Sequence, residues 1–83
     1  MNWTVYIIEV SDGSYYTGIT NNLDKRMKTH SAGKGSKYVK SRLPIISILY
    51  CENHNNRSEA SKREYVIKKM TRKQKEELFT KEE

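Results

Sequence analysis

Near its amino end the chain reads WTVYIIEV over residues 3–10, SDGS over residues 11–14 and YYTGIT over residues 15–20. The first and third segments are rich in β-branched and aromatic residues, which favour extended strands. Asp12-Gly13 between them is a dipeptide typical of tight hairpin turns. We therefore predict a β-hairpin here, and the other elements are placed relative to it.

The turn of this hairpin admits two registers. In a two-residue loop of Asp12 and Gly13, the side chains of Tyr6 and Tyr16 lie on opposite faces of the sheet. In a three-residue loop that begins at Ser11, the pairing shifts by one residue and both tyrosines lie on the same face. Because glycine accepts positive φ in either loop, the turn residues leave both registers open.

A first helix is predicted after the hairpin. Asn21 or Asn22 can cap its amino end, and Gly33 ends it after about Ala32.

Two pairs of side chains on this helix are spaced four residues apart. Leu23 and Met27 form the stripe that faces the core, whereas Arg26 and His30 lie beside it, at the border with solvent. That border suits side chains that reach a pocket at the sheet edge. The other interpretation is a partly exposed Arg and His with no special role.

The rest of the chain predicts one strand and two helices. After Pro44, the segment Ile45–Cys51 is almost continuously apolar, which indicates a strand buried on both faces. The pattern Asn56-Arg-Ser-Glu59 opens a helix to about Met70, and Thr71-x-x-Gln74 opens a short third one. The predicted fold is α/β (α+β), a three-stranded antiparallel sheet flanked by helices on both sides in the order β-β-α-β-α-α.

Glu64 lies on the core-facing stripe of the second helix, between Ala60 and Ile67, where an apolar residue is expected. A carboxylate there is costly unless it is paired or holds a cation. Two structural explanations compete with a function: a displaced capping box at Ser61-x-x-Glu64, and an ion pair with Lys68.

The net charge of +6 is concentrated in one part of the 83 residues. Residues 20–45 contain seven basic side chains against a single aspartate, and the remainder of the chain is neutral in sum. A basic stretch beside a tyrosine-rich hairpin suggests a polyanionic partner, although a solvated lysine surface is the alternative.

The segment 33–42 is predicted to be a loop or a short irregular helix. Its glycines lack the spacing of a Walker loop, and its lysines alternate with an aromatic residue that could stack on bases. The predicted nucleic-acid contacts are Lys25, Lys34, Lys37, Tyr38, Lys40 and Arg42. A flexible connector is the alternative.

Other classes are excluded by composition. The single cysteine, Cys51, rules out an internal disulfide, and Cys51-x-x-His54 supplies only two of the four ligands that structural zinc needs. The longest apolar run, Ile45–Tyr50, is too short to span a membrane, and no signal peptide is recognised. We expect one domain over residues 1–83, in the cytoplasm and away from membranes.

Val5-Tyr6-Ile7 and Tyr16-Thr17-Gly18 resemble the paired signature of the GIY-YIG nuclease domain. The later spacings Arg26-x-x-x-His30 and Ala60-x-x-x-Glu64 also fit this family, so that the resemblance covers nearly the whole chain. It is greatest for small, stand-alone bacterial members that are similar to the nuclease domain of structure-specific endonucleases. In that family both motif tyrosines line one face, which favours the three-residue hairpin loop.

The resemblance implies a set of site residues. Glu64 matches the glutamate that holds one divalent metal ion, Mg²⁺ or Mn²⁺, and Arg26 matches the arginine that stabilises charge on the scissile phosphate. Tyr6 and Tyr16 match the motif tyrosines, one of which activates or orients the attacking water, and His30 matches a residue that assists it. An unperturbed phenol has a pKa of about 10, so a tyrosine base would need that pKa lowered by Arg26 and the metal.

The implied function is metal-dependent hydrolysis of DNA, in branched or flapped forms during repair or recombination. A catalytically weak nucleic-acid-binding module is the alternative. Family members often carry an asparagine after the metal glutamate, whereas Gln74 is the only amide side chain after Glu64 here. A protein partner that targets the domain to DNA is also implied, while the oligomeric state is open.

Overall fold

A computed structural model describes residues 2–80 and contains three strands and four helices. They are β1 Trp3–Val10, β2 Tyr15–Thr20, α1 Leu23–Ser31, α2 Lys37–Lys40, β3 Ile45–His54, α3 Arg57–Lys68 and α4 Arg72–Phe79. The predicted antiparallel sheet and element order are confirmed. The short α2 occupies the segment for which the sequence allowed either a loop or a short irregular helix. Among residues 2–80, no helix has the length and apolarity that crossing a bilayer requires.

The hairpin adopts the three-residue loop. β1 pairs with β2 so that Ile8 lies opposite Tyr16 and Tyr6 lies opposite Gly18. Gly13 closes the turn with a φ of 83°, in the left-handed region that favours glycine. Tyr6 and Tyr16 consequently share one face of the sheet.

The central strand is β1, because the strand order is β2-β1-β3. Its side chains are buried on both faces, and the two faces form separate core clusters. One cluster joins β1 to α3 and consists of Val5, Ile7, Ala60 and Ile67, against which Leu78 and Phe79 of α4 pack. The other joins β1 to α1 and α2 and consists of Tyr6, Ile8, Val10 and Val39, with Leu23 and Met27 beside them. The candidate site belongs to this second face.

The burial predicted for β3 is wrong. It is an edge strand that continues to His54, and its side chains Ile46 and Ile48 are 57% and 47% exposed. The apolar run suggested a strand buried on both faces, but the central and buried position belongs to β1, which pairs with both other strands.

The predicted caps form at the helix starts. The Asn22 side chain accepts from the Lys25 N–H at 3.1 Å, and the Asn56 side chain accepts from the Glu59 N–H at 2.9 Å. Such caps satisfy backbone donors that have no partner inside the helix. At α4 the capping box is reciprocal between Thr71 and Gln74.

A polar cluster around Glu52 joins β3 to α3. Tyr50 Oη donates to Glu52 Oε1 at 2.6 Å, His54 Nε2 lies 2.6 Å from Oε2, and Arg63 Nε donates to Oε2 at 2.9 Å. Burial alone would raise the pKa of Glu52, but the hydrogen bonds from these three partners outweigh it and lower the pKa below its ordinary value of 4.5. Because Arg63 precedes Glu64, this cluster also fixes the position of the Glu64 backbone.

Acid is therefore expected to weaken the fold through Glu52. In the unfolded chain this carboxylate takes up a proton at its ordinary pKa, whereas in the fold it does so at lower pH. The stabilisation is thus complete at neutral pH and is lost progressively below about pH 5. Glu52→Gln should lower the free energy of unfolding at pH 7 by about 1 kcal/mol and flatten its fall toward low pH. Urea denaturation across a pH series measures both effects. The exposed Glu77→Gln is the control, and an equal pH slope in Glu52→Gln and wild type would contradict the prediction.

Candidate active site

The site begins with the two tyrosines of the hairpin. The ring centroids of Tyr6 and Tyr16 are 6.3 Å apart on the face that α1 covers. Gly18 lies opposite Tyr6 and leaves room for its ring, since a Cβ on Gly18 would come 2.5 Å from the Tyr6 hydroxyl oxygen. The glycine of the second motif is thus needed for the tyrosine of the first to occupy its place.

His30 projects from α1 between these rings. Its Nε2 lies 2.9 Å from Tyr6 Oη, and its ring centroid is 5.5 Å from that of Tyr16. The predicted location of His30 at the border with solvent is wrong, because the side chain is only 2% exposed. α1 turns it against the hairpin, and the backbone of Gly35 covers Nδ1 so closely that a Cβ on Gly35 would overlap the ring.

The protonation states of this pair follow from burial. Burial, and after it the neighbouring Arg26 cation, hold the pKa of His30 below its ordinary value of 6.5, so the imidazole is neutral at pH 7. Burial and then Tyr16 raise the pKa of Tyr6 well above 10; Arg26 opposes this increase only in part, and Glu64 adds to it. Tyr6 is therefore a protonated phenol here, and its surroundings do not favour a phenolate base.

Arg26 lies at the edge of the same cluster and lines an open cleft. The cleft has a volume of about 260 Å³ at the end of β2 where α1 begins. Its lining is formed by Thr20, Asn21, Asn22, Lys25, Arg26 and Thr29. The half-buried Arg26 matches the sequence prediction of a side chain at the border of the α1 stripe.

Glu64 approaches the site from α3. Its side chain is 22% exposed and forms an ion pair with Lys68 Nζ at 3.2 Å, as one of the structural explanations predicted. The other explanation fails because α3 already begins at Arg57, which places Ser61 inside the helix rather than at a cap. The Glu64 charge raises the pKa of Tyr6. This carboxylate therefore acts electrostatically on the tyrosine cluster, which consists of Tyr6, Tyr16 and His30.

A divalent cation at Glu64 would have this one carboxylate as its protein ligand, and the Oε2 atom of that carboxylate now pairs with Lys68. Within residues 2–80 no three His, Cys, Asp or Glu side chains are grouped as a metal site. Mg²⁺ commonly uses one or two carboxylates and completes its shell with water and phosphate oxygens. Gln74 caps α4 by accepting from the Thr71 N–H at 2.9 Å, so its oxygen is already engaged.

The predicted nucleic-acid contacts divide into two groups. The four lysines, Lys25, Lys34, Lys37 and Lys40, are exposed. Tyr38 is also exposed, but its ring stacks on Tyr16 with centroids 5.9 Å apart. The Arg42 guanidinium lies 3.9 Å from the Tyr38 centroid. Arg42 Nε also donates to Asp12 Oδ2 at 3.0 Å. These two side chains thus extend the tyrosine cluster and tie it to the hairpin turn.

Gly35 is a site residue with little signal in the sequence. Its place in a Gly-x-Gly pair indicates only a loop. Its importance comes from the packing of its backbone against His30, a contact between α1 and the following loop that spacing alone does not indicate.

Comparison with known proteins finds similar proteins over nearly the whole chain. A family profile described as the GIY-YIG catalytic domain matches residues 2–77. A UPF0213 protein of Bacillus cereus is 49% identical over 78 residues, which is 94% of this chain and 80% of that protein. A UPF0213 protein of Halobacterium salinarum is 48% identical over 75 residues, 90% of this chain and 96% of that protein. The solution structure of a UPF0213 protein of Bacillus halodurans is 42% identical, with a TM-score of 0.59 over 94% of this chain and 82% of that one. The solution structure of a protein of E. faecalis has a sequence that is 38% identical and a TM-score of 0.64. The match covers 93% of this chain and 81% of that one.

Proposed function

Because the chain belongs to the GIY-YIG family of nuclease domains, we propose that it is a metal-dependent DNA endonuclease that cuts flapped or branched DNA. The observation that carries the proposal is the 2.9 Å contact between Tyr6 Oη and His30 Nε2 beside Tyr16, within reach of the charges of Arg26 and Glu64. Hydrolysis of a phosphodiester needs an oriented water, neutralisation of the phosphate charge and assistance to the leaving oxygen. The cluster contains residues suited to the first two needs.

Arg26 supplies the neutralising charge. Its guanidinium is a planar fork of donors that matches phosphate oxygens. It lines the open cleft, and its charge acts on Tyr6. A Mg²⁺ or Mn²⁺ ion held by Glu64 would add positive charge at the same phosphate.

Tyr16 is the tyrosine that meets the water. It is partly exposed, whereas Tyr6 is 1% exposed and bonded to His30. The neutral His30 and the protonated Tyr6 form a fixed pair beneath Tyr16, and Tyr38 supports the Tyr16 ring from the loop side. In this arrangement Tyr6 orients its neighbours through its hydroxyl group rather than acting as a base.

A binding module without catalysis is the second candidate, and the burial of Tyr6 and His30 favours it. The exposed lysines of α1 and α2 would then contact phosphates while the tyrosine cluster serves as packing.

One assay distinguishes the two candidate functions. End-labelled linear, flapped and four-way DNA is incubated with Mg²⁺, Mn²⁺ or EDTA. Metal-dependent cutting supports the nuclease, and salt-sensitive binding without cutting on any substrate supports the module.

Arg26→Ala is expected to reduce the cleavage rate about 100-fold or more while weakening DNA binding only a few-fold, because the charge acts on the reacting phosphate. Lys25→Ala is the matched control, since it removes the neighbouring cation of the same cleft. It should weaken binding with little change in the rate at saturation. Single-turnover cleavage and fluorescence anisotropy separate the two quantities. Equal losses of rate and affinity in Arg26→Ala would make it a binding residue only.

A further inference from the structure

A second cleft lies at the other end of β2, between the hairpin turn and α4. Its volume is about 140 Å³, enough for a phosphate group with its first waters. Its lining is formed by Ser14, Tyr15, Tyr38, Arg72 and Lys75. These are neutral and cationic side chains, so the cleft is suited to an anion.

The Arg72 side chain is 57% exposed and contacts two side chains of the protein. Its Cζ lies 4.0 Å from the Tyr15 ring centroid, and its Nε donates to Glu76 Oε2 at 3.3 Å. The same Glu76 oxygen accepts from the Tyr15 hydroxyl at 2.9 Å. This network engages Nε and leaves the two Nη groups as possible donors. A donor that is already ordered loses little conformational entropy when it binds.

Lys75 provides a second cation one turn along α4. Its side chain is half-buried, unlike that of Lys73 on the same helix, which is exposed. No carboxylate of residues 2–80 is ion-paired with Lys75, so its charge is not neutralised within this part of the chain. The cleft therefore keeps a positive charge even though Glu76 compensates Arg72.

The two clefts lie at opposite ends of β2. The first is lined by Thr20 and the residues after it, and the second by Ser14 and Tyr15. The six residues of β2 span roughly 20 Å at about 3.3 Å each. A nucleic-acid strand that follows β2 can therefore place one phosphate in each cleft, with other nucleotides between them. Tyr16 lies between them.

We propose that the cleft between the hairpin turn and α4 is a second phosphate subsite, which holds the DNA backbone a few nucleotides from the phosphate at Arg26. This inference rests on the proposed function, and it adds α4 to the DNA-binding surface. The nucleic-acid strand then crosses the β2 edge from one cleft to the other and passes the tyrosine cluster on its way.

Lys75→Gln tests the subsite, and Lys73→Gln is its matched control on the same helix. Binding to a flapped duplex of about 20 base pairs is measured by anisotropy in EDTA, between 50 and 200 mM salt. Lys75→Gln should weaken binding about threefold to tenfold and lower the slope of log affinity against log salt by about one, while Lys73→Gln changes the affinity less than about twofold. Phosphate-ethylation interference should lose one contact in Lys75→Gln and none in Lys73→Gln.

The outcomes separate the subsite from the enzyme. If the wild-type protein cleaves DNA and Lys75→Gln binds DNA as tightly as wild type, the subsite is overturned and the nuclease proposal stands. Selective weakening by Lys75→Gln without any wild-type cleavage would support the subsite and contradict the nuclease. Equal weakening by both variants would overturn the subsite, because only the general charge would then matter.

Discussion

Glu64→Gln is expected to abolish metal-dependent DNA cleavage, by at least about 100-fold, and to leave the fold and the DNA affinity close to wild type. The amide has nearly the shape of the carboxylate but lacks the charge that attracts a divalent cation. Among the described residues no three potential ligands are grouped as a metal site, so other protein side chains are poorly placed to replace this oxygen. The lost ion pair with Lys68 is half-exposed and of the i,i+4 type, which is worth about 0.3–0.5 kcal/mol.

The experiment compares Glu64→Gln with Glu59→Gln, an exposed carboxylate on the same helix. End-labelled DNA is incubated with each protein in Mg²⁺, Mn²⁺ or EDTA, and thermal unfolding verifies the fold. Glu59→Gln should cleave like wild type. A correctly folded Glu64→Gln that still cleaves at the wild-type rate would remove Glu64 from the metal site.

Gly18→Ala is expected to lower both stability and cleavage, because the added Cβ would meet the Tyr6 ring. Tyr6 lies on the central strand between β2 and β3, so its ring has little freedom to withdraw. Overpacking of this kind destabilises a core by about 1–3 kcal/mol, and each kcal/mol lowers the melting temperature of a domain this size by about 4–8 °C. Displacement of the ring also breaks the contact between Tyr6 Oη and His30 Nε2.

A double-mutant cycle identifies the cause. Tyr6→Ala removes the ring, so adding Gly18→Ala to it should change the stability by less than about 0.5 kcal/mol. Calorimetry measures the four melting temperatures, and cleavage is measured on the two variants that retain Tyr6. Equal destabilisation in the presence and absence of the Tyr6 ring would show that strand propensity, rather than contact with Tyr6, causes the loss.

Local signals in the sequence predicted most of the fold. The turn dipeptide, the caps at Asn22 and Asn56 and the Thr71-x-x-Gln74 box act over a few residues, and the structure contains each of them. The choice between two hairpin registers needed the family resemblance, since Gly13 suits both. The backbone pairing then confirms the register that puts both tyrosines on one face.

Long-range packing is what the sequence did not predict. Whether β1 or β3 is central depends on which strand pairs with both others, and an apolar run carries no such information. The burial of His30 depends on how α1 and the Gly35 backbone close over the hairpin. For the same reason, Arg42 looked like a free cation in the sequence, whereas Asp12 from a distant turn engages it.

The exposed edge of β3 affects the solubility of the protein. The outer edge of the sheet carries backbone donors and acceptors next to Ile46 and Ile48, a combination that can template pairing with another strand. Two register shifts against β1 distort this edge, and the net charge of +6 makes copies of the protein repel one another. Salt screens that repulsion. Salt that would weaken the proposed binding of DNA to the basic surface therefore also brings the molecules closer to aggregation, so the solubility and the proposed DNA affinity depend on the same charges.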